Sequence, residues 1–118
     1  VIPSLKDKMN GISYRVPTSD VSIVDLNVAL KTPASYADIC QKLKEASENE
    51  LAGILDYIDD EVVSSDFVGD SHASSFDARE GIQVNSHFFK LIAFYDNEWG
   101  YTSQVFRLIK HMNSVDLA

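Results

Sequence analysis

The chain has 118 residues, 45% hydrophobic and 24% charged, the balance of an ordinary globular domain with a modest core. Lys and Arg number 10 against 18 Asp and Glu, a formal net charge of -8, which argues against a nucleic-acid backbone or an anionic membrane as partner. Cys40 is the single cysteine, so an intrachain disulfide and a cysteine-based zinc site are both excluded, in keeping with a reducing compartment.

No run of about 18 apolar residues offers a membrane span. The opening VIPSLKDKM lacks the apolar stretch of a signal peptide, and Val1-Ile2-Pro3 reads as chain entered part-way. Asn10-Gly11 signals a turn. Ile12, Tyr14 and Val16 then alternate with Ser13 and Arg15, the pattern of a strand. Pro17 to Asp20 is turn chemistry. Val21 to Leu30 is rich in β-branched residues and predicts a long strand, antiparallel to the first. Tyr36, Ile39, Leu43 and Ala46 recur at helical spacing. Ser35 with Asp38 resembles a capping box with Asp in place of Glu, and this helix should end near residues 47–49. "GILDYI" and "EVVSSDF" predict short strands around an acidic turn, and "SSFDA" and "IQVN" two more. His87 to Tyr95 is nearly continuously apolar and gives the strongest strand. A last helix is predicted over 98–114, with Val105, Leu108, Ile109 and Met112 as its apolar stripe. The sum is an α+β domain, a mostly antiparallel sheet covered by helices on one face, with a C-terminal helix.

Few residues suggest chemistry by themselves. Cys40 sits mid-helix with no histidine beside it in sequence, whereas a reactive thiol needs an electropositive, accessible setting. His72, His87 and His111 lack the close spacing of a zinc site. Asp56, Asp59, Asp60, Glu61 and Asp66 lack a calcium-loop pattern and its central glycine. No metal site is expected. Arg15, at a strand end, could grip a phosphate bidentately, although most arginines are simply exposed. Asn97 lies between strand and helix in "FYDNEWGYT". It reads most simply as an N-cap. Its carboxamide could equally donate to and accept from a planar amide ligand, walled by Tyr95, Trp99 and Tyr101.

"YRVPTSDVSIVDL" and "FYDNEWGYT" lie about eighty residues apart. With "VVSSDFVGDSHASSFDAREGIQVNSHFFKLI" between them, they resemble the C-terminal part of glyceraldehyde-3-phosphate dehydrogenase. The resemblance implies a cytosolic, homotetrameric, NAD-dependent glycolytic enzyme. Such an enzyme oxidises glyceraldehyde 3-phosphate with uptake of inorganic phosphate, using a cysteine nucleophile and a histidine base. It implies that Arg15 grips substrate phosphate, that Asn97 meets the nicotinamide carboxamide and that Tyr101 lies beside that ring. Residues 1–118 would be part of the catalytic domain and about the last third of such a protein. The G-x-G-x-x-G unit of a dinucleotide-binding domain is absent from this chain. So is the family's S-C-T-T-N-C segment, and Cys40 matches a position that is not catalytic. No catalytic residue is therefore expected here, and the chain alone should be inactive. Its partners would be the remainder of the enzyme and identical subunits, with no nucleic acid and no membrane.

The chain also departs from the family pattern. Phe94 stands where Trp is common, Thr102 where Ser is common and Gln104 where Arg is common. "ENELAGILDY" replaces G-P-L-x-G-I-L-G-Y, which makes Asn49, Glu50 and Asp56 unusual. These departures keep open a second reading, a diverged non-catalytic interaction or assembly module.

Overall fold

The computed structural model describes residues 2–116. Four strands and two helices follow a short 3-10 turn at Pro3–Leu5: β1 (Ser22–Ala29), α1 (Tyr36–Glu48), β2 (Leu55–Ile58), β3 (Ser74–Gln83), β4 (Phe88–Tyr95) and α2 (Trp99–Asp116). The strands form one sheet in the order β1-β4-β3-β2. β1 and β3 both run antiparallel to β4, with an irregularity in β3 between Asp77 and Ile82. The stretches "SSFDA" and "IQVN" thus belong largely to one bent strand.

β2 runs parallel to β3, from Leu55 opposite Ser74 to Ile58 opposite Asp77. The sheet is therefore mixed. Parallel neighbours need a crossover rather than a hairpin. Residues 59–73 supply it, with a 3-10 turn at Ser64–Phe67 where the sequence suggested another strand. The Asp66 carboxylate accepts the Val63 N–H at 2.8 Å and closes that turn.

Successive strand residues face opposite ways, and each face of the sheet has its own cover. On one side α1 packs against β2 and β3. The Tyr36 hydroxyl donates to the Ala78 carbonyl at 3.0 Å, and its ring lies over Gly81, where a Cβ would collide with it. The expected cap forms: Ser35 Oγ accepts the Asp38 N–H at 3.1 Å, and Asp38 Oδ2 accepts the Ser35 N–H at 2.9 Å. On the other side the crossover lays Phe67 on Phe94, rings stacked with centroids 4.7 Å apart. Val21 joins them, with Ile58, Val62 and Ile92 around. Burial of each such phenylalanine is worth about 1.5–3 kcal/mol.

One expectation meets a different structure. Residues 9–16 form no strand, and Ile12 and Tyr14 are each 80% exposed. Alternation creates a face, but a strand also needs a neighbour for its N–H and C=O groups. Pro17 and the turn to Val21, whose φ is 69°, carry the chain into β1 without such pairing. The apolar stripe of α2 is bare among the described residues: Val105, Leu108, Ile109 and Met112 are exposed. No helix among the described residues is long and apolar enough to cross a membrane.

Candidate functional site at the strand–helix junction

β4 ends at Tyr95 and α2 begins at Trp99, so the polar residues 96–98 form the joint. The carboxylate that starts the helix belongs to Asp96. Its Oδ1 accepts the N–H groups of Glu98 at 2.8 Å and Trp99 at 2.6 Å, and its Oδ2 accepts that of Gly69 at 2.8 Å. Asp96 is buried. Burial pushes the carboxyl pKa up, but the three backbone donors outweigh it and hold it below the ordinary carboxylate value.

This corrects the role expected of Asn97 as the cap. With Asp96 filling that role, the Asn97 side chain is released to the surface, where it is exposed. Its Oδ1 accepts from Ser22 Oγ at 3.2 Å, which ties it to the first residue of β1. Its Nδ2 has no partner among the described residues and faces outward as a ready donor. Tyr101, about one helical turn on, is 69% exposed, and Trp99 beside it is also exposed. Trp99 is steadied by its indole Nε1, which donates to Ser71 Oγ at 3.0 Å.

An open cavity of about 460 Å³ adjoins the joint, lined by Asp20, Asp96, Glu98, Trp99 and Thr102 among others. Three carboxylates in its wall disfavour an anion and suit a cationic or neutral polar group. Gln104 points elsewhere. Its Nε2 donates to the carbonyls of Ser71 at 3.0 Å and Gly100 at 3.2 Å, so it braces α2 against the preceding loop.

Asn97 and Tyr101 are both exposed within one helical turn of the joint, neither lines the cavity, and Arg15 is not joined to them. Arg15 lies exposed in the segment before β1 and forms no ion pair with another described residue. Cys40 is half-buried in α1 among Tyr36 and Tyr57. Sequence reasoning missed Asp96, which the general preference for Asp at helix starts could have signalled. It also missed Ser22 and Ser71, for which a distant serine gives no local signal.

Comparison with known proteins identifies the family of the chain. The family model described as glyceraldehyde 3-phosphate dehydrogenase, C-terminal domain, matches residues 1–97. A glyceraldehyde-3-phosphate dehydrogenase of Phytophthora infestans is 59% identical over 112 residues, covering 95% of this chain and 34% of that protein. One from Trichormus variabilis is 55% identical over 112 residues, covering 95% of this chain and 33% of that protein. A cytosolic one from Nicotiana tabacum is 56% identical over 115 residues, covering 98% and 35% respectively. The chain spans about a third of the length of these relatives, and it belongs to the glyceraldehyde 3-phosphate dehydrogenase C-terminal domain family.

Proposed function

We propose that this chain is the C-terminal part of the catalytic domain of an NAD-dependent, phosphorylating glyceraldehyde-3-phosphate dehydrogenase acting in glycolysis. The observation that carries the reading is the Asn97 carboxamide, exposed, anchored through its oxygen to Ser22 and left with an unpartnered NH₂. A fixed amide donor beside Trp99 and Tyr101 fits the carboxamide of a nicotinamide. The acidic wall of Asp20, Asp96 and Glu98 suits the positive charge of the oxidised ring.

Bound NAD would supply the hydride acceptor. Asn97 would fix which face of the ring meets the substrate, and Tyr101 would limit its tilt. Arg15 would hold the substrate's phosphate as a charge-assisted, bidentate donor. Its exposure leaves the guanidinium free to do so. Cysteine and histidine would come from the remainder of the enzyme, whose dinucleotide-binding domain is not part of this chain. The whole protein would be a cytosolic homotetramer using glyceraldehyde 3-phosphate and inorganic phosphate.

The test is NADH formation from glyceraldehyde 3-phosphate, NAD and phosphate by the protein at its natural length. Absence of activity with all three present would favour the second reading, a non-catalytic assembly module. The neutral Gln104, used as a brace between α2 and Ser71, is the observation on that side.

A further inference from the structure

The parallel pairing of β2 with β3 sets Asp56 opposite Ser75, so both side chains leave the same face of the sheet. Ser75 Oγ donates to Asp70 Oδ2 at 2.7 Å. Asp70 Oδ1 lies 2.7 Å from His72 Nδ1 and accepts the His72 N–H at 3.1 Å. Ligand atoms of Asp56, Asp70 and His72 consequently lie within 4.8 Å of one another, all on half-buried residues. None of these carboxylates is paired with a Lys or Arg among the described residues. Asp56 Oδ1 accepts only the N–H of Tyr57, at 2.8 Å. Two carboxylates at such range repel, and a cation between them would relieve that repulsion.

We propose that Asp56, Asp70 and His72 form a binding site for a divalent first-row transition ion, zinc by preference. The mixed donor set decides the class. An imidazole with two carboxylates suits zinc, while calcium and magnesium favour all-oxygen sites. Bonds of about 2.0–2.2 Å at a tetrahedral ion would require the direct Asp70–His72 contact of 2.7 Å to open by side-chain rotation, with water in the fourth position. The Ser75 hydroxyl orients the Asp70 carboxylate as an outer-shell donor. Spacing along the chain brings Asp70 and His72 together, but gives no hint of Asp56, which joins them only through the β2–β3 register. It also uses one of the chain's departures, since Asp56 stands where the resembled family pattern has glycine.

The ion would bind next to the base of α2. Ser71, between two of the ligands, accepts from Trp99 Nε1 and Gln104 Nε2. Gly100 packs against the carbonyls of Asp70 and His72. Metal would thus lock β2, the crossover and α2 into one unit.

The proposal stands apart from the nicotinamide reading, and no NAD enters its test. Protein of natural length is stripped with a chelator and titrated calorimetrically with Zn²⁺ alone. Asp56→Asn, Asp56→Gly and His72→Gln are measured alongside. The wild type is expected to bind one ion per subunit more than each variant, or to bind that ion at least about tenfold more tightly. Its melting temperature should rise with Zn²⁺ by more than theirs, since an ion that binds the folded state stabilises it. Ca²⁺ at the same concentration should give no such difference. Melting curves without metal show whether each variant is folded, and Asp56→Asn keeps the side chain's size if Asp56→Gly does not fold. Equal stoichiometry and affinity for Zn²⁺ in the wild type and folded Asp56→Asn would overturn the proposal. So would a Ca²⁺ response as strong as that to Zn²⁺.

Discussion

The Asp96 carboxylate holds the backbone N–H of Gly69 at 2.8 Å across 27 positions of sequence. The same group caps α2 through Glu98 and Trp99, so one side chain joins the crossover loop to the helix. Asp96→Ala would orphan three donors at a buried site. Each orphaned buried group costs about 1–3 kcal/mol, with solvent entry lowering the sum. The expected loss of stability is at least about 2 kcal/mol, read as a lower denaturant midpoint.

A pH dependence follows from the same group. Its folded pKa lies below the ordinary 3.8 because the backbone donors outweigh burial. The unfolded state therefore binds the proton more readily. The stabilisation is fully present above 3.8 and is lost as pH falls through the lower folded value. Stability of the wild type minus that of Asp96→Asn should shrink on acidification into that range. A difference that stays flat there would assign the acid sensitivity to other carboxylates.

Asn97→Asp in the whole enzyme keeps an oxygen for Ser22 and removes the NH₂ donor. A lost net hydrogen bond of about 0.5–1.5 kcal/mol corresponds to about a two- to tenfold change. Weaker NAD binding or a lower kcat of that size is expected. The melting temperature should hardly move, because the cap is Asp96. Kinetics unchanged from the wild type would leave Asn97 no part in cofactor binding.

Arg15→Ala should raise KM for glyceraldehyde 3-phosphate and leave KM for NAD alone. Hydrogen bonds to charged groups are worth about 1.5–3 kcal/mol, roughly ten- to a hundredfold. Arg15 is exposed and unpaired among the described residues. Stability should therefore stay within about 0.5 kcal/mol. Lysine at this position should recover only part of the loss, because it lacks the bidentate fork.

Gly100→Ala sets two effects against each other. Alanine gains about 1 kcal/mol in helix propensity. Its Cβ would lie 2.8 Å from the His72 carbonyl and 3.3 Å from that of Asp70, and such overpacking costs about 1–3 kcal/mol. Both obstacles are backbone atoms, which yield less readily than a side-chain tip. A net fall in melting temperature is expected, and a rise would mean the crossover loop shifts at little cost.

The 118-residue chain by itself is expected to form no NADH and to associate. Phe106, Leu108, Ile109 and Met112 on α2 are all more than half exposed, and Ile23 on the edge strand is 59% exposed. Contiguous apolar surface of this kind drives association and takes up hydrophobic dyes. A monodisperse monomer in sedimentation, without dye binding, would contradict this.

Local chemistry was enough for some elements. Ser35 and Asp38 announce α1, the apolar run before Tyr95 announces β4, and a single cysteine rules out a disulfide whatever the fold. Family membership was equally legible, because the two motifs around Arg15 and Asn97 are specific strings. Periodicity and caps depend on residues a few positions apart, so they can be read directly. Tertiary structure decided the rest. Ile12 to Val16 carries a strand pattern but meets no strand partner for its backbone among the described residues, and β2 lies parallel to β3 through a crossover that also stacks Phe67 on Phe94. Asp96 rather than Asn97 caps α2, and the same carboxylate also holds the distant Gly69. Asp56 meets Asp70 and His72 through strand register alone. In each case contacts between distant residues chose among locally acceptable alternatives, and those contacts have no signature in any short stretch of chain.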